Sequence, residues 1–99
     1  MSSYVIYHQG NETIGISEHA RRRMEKRFYL LHPNHTLKGN NPPDWLQMIK
    51  RMYIKHHHKL IDFGDYKYIP CGEYGLYLRD SMITTVVIRQ KKHAYLNAA

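Results

Sequence analysis

The residues best suited to chemistry in this chain lie in one short run, residues 16–27. It reads Ile-Ser-Glu-His-Ala-Arg-Arg-Arg-Met-Glu-Lys-Arg, so His19 is soon followed by five Arg or Lys residues among the seven that begin at Arg21. Histidine can give or take a proton near neutral pH, and arginine can hold two oxygens of one phosphate. The run therefore combines a proton-transfer group with dense positive charge, which makes RNA the leading candidate ligand.

The whole chain carries the same bias in charge. Its 99 residues include 15 Lys or Arg and 8 Asp or Glu, and the formal net charge is +7. We expect one domain, residues 1–99, with nucleic acid, an anionic membrane or an acidic protein as its partner. The lone cysteine, Cys71, excludes an intrachain disulfide, and no apolar run approaches the roughly 20 residues of a membrane span. We therefore expect a soluble, cytoplasmic, full-length protein without a signal peptide.

A first helix is predicted to position the charged run. Ser17 is a good N-cap, Glu18 suits the positive end of the helix dipole, and the helical pattern extends to about residue 28. The stripe expected to be buried repeats every four residues and consists of Ala20, Met24 and Phe28. The side chains that flank this stripe and remain free to face a ligand are His19, Arg22, Arg23, Lys26 and Arg27.

The rest of the chain is predicted to form a second helix and a sheet. A loop over residues 32–43 leads into a helix over residues 44–58 that is capped by Asn40 or Asn41. Short β-prone runs predict strands at residues 4–7, 13–16, 60–63, 66–69, 73–79 and 82–90. The class is therefore α+β, with two helices packed on one face of an antiparallel sheet in the order β-α-α-β-β-β. The side chains expected to be buried are Met24, Phe28, Ile49, Met52 and Leu78.

Two short matches connect this chain with a known group of proteins. The first lies in the predicted first helix and comprises Ser17, His19, Ala20, Arg23, Met24 and Arg27. The second covers residues 75–79 and 84–88 of the closing strands. Together with the order of elements, these matches resemble the RelE/ParE-like small toxins of the barnase, colicin and RelE ribonuclease superfamily. The loop before the second helix is longer than the compact hairpin of that family.

The resemblance implies a RelE-like fold and a metal-independent endoribonuclease toxin that an acidic antitoxin neutralises, with no cofactor. In such chemistry a base takes the 2′-hydroxyl proton, an acid protonates the leaving 5′-oxygen, and cations hold the phosphate. His19 is the candidate general acid or base, Arg23 and Arg79 are the candidate phosphate clamps, and Thr85 or Tyr77 is the candidate donor of a hydrogen bond to the substrate. The residues predicted to bind RNA are Arg22, Arg23, Lys26, Arg27 and Tyr77.

Two groups of histidines invite a metal-site interpretation that their spacing disfavours. Successive side chains on a helix point about 100° apart, so the histidines at residues 56–58 cannot all bind one ion. His32 and His35 have neither a cysteine pair nor a nearby carboxylate to complete a site. We therefore predict no metal site. Cys71 is expected to be structural, because no partner base is evident for it.

A second hypothesis requires no catalysis. A basic α+β module can bind nucleic acid or inhibit a host protein, as small phage and mobile-element proteins often do, since one fold can serve many functions. The enzyme needs His19, Arg79 and a hydrogen-bond donor on a strand to converge in one groove, whereas the binding protein needs only a charged face. Membrane-surface binding is a weaker alternative, because the first helix lacks large apolar anchors.

Overall fold

Two helices lie on a sheet in the part of the chain that the structure describes. The structure is a computed structural model that describes residues 4–9, 12–35 and 42–89, with the backbone alone for residues 4–9 and 12. The strands are β1 (Tyr4–Gln9), β2 (Glu12–Ser17), β3 (Ile61–Asp62), β4 (Lys67–Cys71), β5 (Tyr74–Arg79) and β6 (Met82–Ile88). The helices are α1 (Glu18–Leu31) and α2 (Trp45–His56), and α2 is followed by the 3-10 turn His57–Lys59.

The six strands form one mixed sheet in the order β1-β2-β6-β5-β4-β3. Every neighbouring pair is antiparallel except β2 and β6, which run parallel with Gly15 opposite Met82 and Ile16 opposite Ile83. The α+β class with two helices is confirmed, but the prediction of a purely antiparallel sheet is wrong. Both helices lie in the connection between β2 and the later strands, and that long crossover lets β6 return beside β2 in the same direction.

Each of the six predicted β-prone runs contains a strand, but the predicted order of elements counted only four of them. Residues before α1 form the hairpin of β1 and β2, and residues after α2 form four strands, so the order is β-β-α-α-β-β-β-β. The strand predicted at residues 60–63 is reduced to Ile61–Asp62. Asp62 ends it because its Oδ1 accepts a hydrogen bond from Gly64 N at 2.8 Å, which turns the chain toward β4.

Each helix begins at a side-chain cap. Ser17 caps α1 as predicted, and the helix extends to Leu31, beyond the predicted end near residue 28. The cap of α2 is Asp44, whose Oδ1 accepts from Gln47 N at 3.1 Å. The predicted caps Asn40 and Asn41 lie outside the described residues, as do the turn expected at residues 10–11 and the basic tail expected from residue 91.

A single hydrophobic core lies between the helices and the sheet. Met24, Ile49 and Leu78 are buried in it, as predicted, while Phe28 and Met52 are only partly buried and pack against it. Because buried side chains of both helices belong to the same cluster as those of the strands, both helices cover one face of the sheet. Neither described helix is long and apolar enough to cross a membrane.

Candidate functional site

The start of α1 is fixed by the side chain of Ser17. Its Oγ accepts from Ala20 N at 3.0 Å and donates to the backbone oxygen of Thr84 in β6 at 3.3 Å. His19 follows in the first turn and is exposed, and Arg23 Nε donates to His19 Nε2 at 3.3 Å. The residue predicted to transfer protons is therefore open to solvent, at the end of a helix that is attached to β6.

One side of α1 forms a surface that we call the basic flank, made of His19, Arg23 and Arg27. At about 100° per residue, these side chains lie roughly 60–140° around the helix from the buried Met24. Arg27 and Val87 of β6 together line a shallow groove of about 250 Å³. This side of the helix is therefore turned toward β6. Within residues 12–35 and 42–89, no ion pair neutralises Arg23 or Arg27.

The other side of α1 carries carboxylates. Glu18 forms ion pairs with Arg21 and, at 3.3 Å, with Arg22, and the hydrogen bond to Glu18 raises the pKa of Arg21. Glu25 lies on this side as well. Arg22, which was predicted to bind RNA, is thus paired with a carboxylate, whereas the exposed Lys26 lies between the two sides, nearly opposite the buried stripe.

The sheet has one face covered by the helices and one that we call the open face. Leu76 and Leu78 of β5 belong to the core, so the alternating residues Tyr77 and Arg79 lie on the open face. Thr85 is paired with Tyr77 across the β5–β6 ladder and shares that face. Three residues that sequence reasoning selected on strands therefore lie together on one surface.

A hollow of about 270 Å³ opens beside these residues. Its lining consists of Tyr66, Tyr77, Leu78, Arg79 and Thr84. Thr84 Oγ1 donates to the backbone oxygen of Tyr77 at 3.2 Å, at the point where the ladder shifts register. The backbone oxygen of Thr84 accepts from Ser17, so Thr84 connects the hollow to the start of α1.

His19 is not connected by a hydrogen bond to the strand residues beside the hollow, within the part of the chain that is described. Across the described ranges, no hydrogen bond joins His19 to Arg79, Thr85 or Tyr77, and the side-chain hydrogen bond of His19 is the one from Arg23. The two parts of the predicted site therefore lie on adjoining elements. A ligand that bridges them must extend from the basic flank across the end of β6 to the hollow.

The turn after β5 sets the position of Arg79. Arg79 pairs with Met82, and the two residues between them, Asp80 and Ser81, have φ values of 52° and 63°. Positive φ at both positions is the pattern of the tight type I′ hairpin turn. Gly15 N donates to Ser81 O at 2.9 Å, which fastens the turn to β2. Arg79 therefore stands at the rim of the hollow on a backbone held from two sides.

Aromatic rings that sequence reasoning did not assign to the site continue the open face. Ring centroids lie 5.0 Å apart for Tyr68 and Tyr77, 5.5 Å for Tyr66 and Tyr77, and 5.0 Å for Phe63 and Tyr66. We call these four rings the aromatic row. Only Tyr77 was selected from the sequence, because aromatic residues on strands ordinarily indicate a half-buried sheet surface.

Tyr68 lies flat over a glycine of the neighbouring strand. A Cβ at Gly75 would stand 2.6 Å from Cε1 and 2.8 Å from Cζ of Tyr68, so a side chain there would collide with the ring. Burial raises the pKa of Tyr68, and the nearby Arg89 acts in the opposite direction. Arg89 Nη1 donates to Gly72 O at 2.9 Å, which holds a second arginine next to the aromatic row.

Histidines near the ends of the two helices make packing contacts. His57 stacks on Tyr53 with ring centroids 5.6 Å apart, and His32 packs on Phe28 at 4.6 Å. His56 Nδ1 is buried with no described hydrogen-bond partner, and burial, followed by nearby lysines, lowers the pKa of that histidine. Within the part of the chain that is described, no group of three His, Cys, Asp or Glu residues could hold a metal ion.

The single cysteine lies in the core. Cys71 is buried on β4, and its Sγ donates to the backbone oxygen of Ile69 at 3.4 Å. Burial raises the pKa of the thiol to about 11. The thiol therefore stays protonated at neutral pH, which makes it a poor nucleophile and agrees with the structural role expected for it.

Comparison of the sequence and the structure with known proteins finds no similar protein. No family model, no curated protein and no solved structure matches this chain. The resemblance to RelE/ParE-like toxins therefore stays a prediction drawn from short motifs, and function has to be inferred from the site itself.

Proposed function

We propose that this protein binds RNA across the basic flank of α1 and the open face of the sheet, and cleaves it as a RelE-like, metal-independent endoribonuclease. The observation that carries the proposal is the link through Thr84. This residue lines the hollow with Tyr77 and Arg79, and it also accepts the hydrogen bond of Ser17 at the start of α1. A phosphate at this junction would have cations from both elements within reach.

The roles in cleavage follow from exposure and chemistry. His19 is exposed and holds a ring nitrogen at the edge of the basic flank, so it can exchange a proton with a bound ribose or leaving oxygen. Arg79, at the rim of the hollow, can hold the phosphate oxygens as negative charge develops on them. The hydroxyl of Thr85, which shares the open face with Arg79, can donate a hydrogen bond to the substrate.

The distribution of charge favours an anionic ligand on this side. The carboxylate of Glu18 pairs with Arg21 and Arg22, so it does not neutralise Arg23 or Arg27. These two arginines lie on the side of α1 that meets β6, where Arg27 is beside Val87, and Arg79 stands at the turn that leads into the start of the same strand. A polyanion is attracted to such a surface and releases counterions when it binds.

Incubation of the purified protein with end-labelled RNA in EDTA tests cleavage. We expect discrete cleavage products to accumulate in EDTA as they do without it, because protons and arginines supply the chemistry. The matched control is His19→Ala prepared in parallel, which excludes a contaminating nuclease. Absence of cleavage of any RNA by the wild-type protein would remove the enzyme assignment.

Binding is tested with two variants that remove the same charge from opposite sides of α1. Arg23→Ala/Arg27→Ala should weaken RNA binding and reduce the slope of log Kd against log salt by about 2, one for each lost phosphate contact. Arg21→Ala/Arg22→Ala, which removes the pair next to Glu18, should change the slope little. Equal losses in the two variants would show that only net charge matters and would contradict an oriented RNA site.

The runner-up is a non-enzymatic protein that binds nucleic acid or inhibits a host protein, of the kind found in phages and mobile elements. One observation favours it: His19 interacts with Arg23 and has no hydrogen bond to the open face in the residues that the structure describes. An acidic protein, including an antitoxin, would be attracted to the same basic flank. Tight, salt-sensitive RNA binding without cleavage would select this alternative.

A further inference from the structure

Two aromatic rings at one end of the aromatic row lie outside the hydrophobic core and are exposed. Phe63 is 54% exposed and Tyr66 is 38% exposed, although both are large hydrophobic side chains. Their rings are stacked, with centroids 5.0 Å apart and planes 22° from parallel. Contiguous exposed apolar surface of this kind is typical of ligand-binding and interaction sites.

The backbone holds these rings in place. Gly64 adopts φ 93° and donates to Asp62 Oδ1 at 2.8 Å, and Phe63 N donates to Tyr66 O at 2.9 Å. The connection between β3 and β4 is thus a closed, hydrogen-bonded turn whose first and last residues, Phe63 and Tyr66, carry the two rings. A ligand that stacks on them would not have to order a loose loop, which lowers the entropic cost of binding.

The aromatic row extends from these two rings to the hollow beside Arg79. Tyr66 contacts Tyr77 with centroids 5.5 Å apart, and both line the hollow beside Arg79. Aromatic surface therefore extends from the turn to the cation at the rim. The nearby carboxylates, Asp62 and Asp65, lie at the turn, so phosphates are favoured on the side of Arg79 and uncharged groups on the side of Phe63.

We infer that Phe63 and Tyr66 form a stacking platform for an unpaired base and that the ligand of this protein is single-stranded RNA. This inference rests on the proposed RNA-binding function. Single strands offer bases whose faces are free to stack on aromatic side chains, while arginines hold the backbone beside them. A duplex keeps its bases stacked inside the helix and offers this surface only phosphates and sugars. The platform therefore adds selectivity that the basic flank alone cannot provide.

Binding of three labelled RNAs to the wild-type protein tests the platform. The probes are a single-stranded oligouridine of about ten nucleotides, within the usual range of site sizes, an abasic oligomer of the same length, and a duplex with the same number of phosphates. We expect the oligouridine to bind most tightly. Phe63→Ala should weaken its binding by about 5- to 150-fold, the range for loss of one stacked base, and leave the other two probes unchanged.

Two further variants distinguish stacking from loss of apolar surface. Phe63→Trp should retain the affinity for oligouridine, because it keeps an aromatic face. Ile54→Ala, which shortens a hydrophobic side chain that is 43% exposed on α2, should have no effect on any probe. Circular dichroism checks that each variant is folded.

The outcomes separate this inference from the function on which it rests. Equal binding of all three probes, unaffected by Phe63→Ala, would overturn the stacking platform and leave RNA binding standing. No binding of any probe would overturn both. A wild-type dimer that Phe63→Ala converts to a monomer in sedimentation experiments would overturn the platform as well, since the rings would then join two copies of the chain.

Discussion

The two faces of the sheet differ in what their side chains do. On the covered face, Ile69, Leu76 and Val86 are fully buried beneath the helices. On the open face, the same strands carry Tyr68 and Tyr77, which contact one another and remain partly accessible. Burial of the first set supplies hydrophobic stabilisation, whereas the second set contributes much less to it. The hydrophobic core therefore draws on one face of this sheet, and the side chains of the other face stay accessible to a ligand.

The same contrast appears on α1. Its acidic side pairs Glu18 with Arg21 and Arg22, while the basic flank has no carboxylate partner in the described residues. A surface that served solubility alone would gain from mixed charge on both sides of the helix. The unneutralised flank lies toward β6, the strand that carries Thr85 on the open face.

The largest effect is expected at His19, if the basic flank and the open face together carry out RNA cleavage. Removing a positioned acid or base lowers a rate by about 10²–10⁴, so His19→Ala should lose most RNA cleavage in a gel assay. Its free energy of unfolding should change by less than about 0.5 kcal/mol, because the side chain is exposed.

Two further variants serve as a control for His19→Ala and as a second test of the site. His58→Ala, at another exposed histidine, should cleave like the wild type. Arg79→Ala should lower both the rate and the affinity for RNA, because the same cation serves the bound substrate and the transition state. Undiminished cleavage by His19→Ala would exclude this residue from the chemistry.

The next prediction compares how much each face of the sheet contributes to the free energy of unfolding. Leu76→Ala on the covered face should lower the free energy of unfolding by about 2–5 kcal/mol, the cost of a cavity in a packed core. Thr85→Ala on the open face should cost less than about 1 kcal/mol, the span of strand propensities. Urea denaturation measures both. Similar losses in the two variants would mean that the open face also supports the fold.

A third substitution tests whether the ring of Tyr68 is held firmly against Gly75 on the open face. Gly75→Ala places a methyl group against the ring of Tyr68, and overpacking of this kind costs about 1–3 kcal/mol. The same substitution in a Tyr68→Ala background should cost much less, since the ring is gone. Denaturation of all four proteins gives the coupling energy between the two positions. A coupling near zero would show that Tyr68 moves aside freely.

The smallest effect concerns the turn that carries Arg79. Ser81 has φ 63°, a conformation that costs a residue with a side chain about 1–2 kcal/mol and glycine almost nothing. Ser81→Gly should therefore raise the free energy of unfolding by about 1 kcal/mol, measured by urea denaturation. Ser81→Ala should bring no gain, because alanine keeps the strained Cβ. A loss of stability in Ser81→Gly would contradict the assignment of strain to this residue.

Local features of the fold could be predicted from the sequence. Ser17 was identified as the cap of α1 because capping depends on neighbours a few residues away. Met24 and Ile49 were identified as buried because helical periodicity reports which side is apolar. The cap of α2 was misassigned because Asp44 stands close to two asparagines that cap equally well, and only the backbone path selects one of them.

Features that depend on register could not be predicted. The parallel pairing of Ile16 with Ile83 depends on how the helical connection returns, which neither strand encodes by itself. The approach of Tyr66 and Tyr68 to Tyr77 likewise requires the exact alignment of β4 and β5. Sequence reasoning therefore selected the residues of the open face one by one, and the pairing of strands shows that Tyr77, Arg79 and Thr85 share it.

The bond between Ser17 and Thr84 has a consequence for the order in which this protein matures. It joins residues 67 positions apart, and β2, which pairs with β1 on one side, gains its partner on the other side from β6, a strand synthesised near the end of the described chain. Contacts of such separation form late, after local hairpins and helices, and chains emerge from the ribosome N-terminal end first. The basic helix is therefore made long before the strand that completes its surface. Under the proposed function, the growing chain carries an unfinished RNA site for as long as β6 has not emerged.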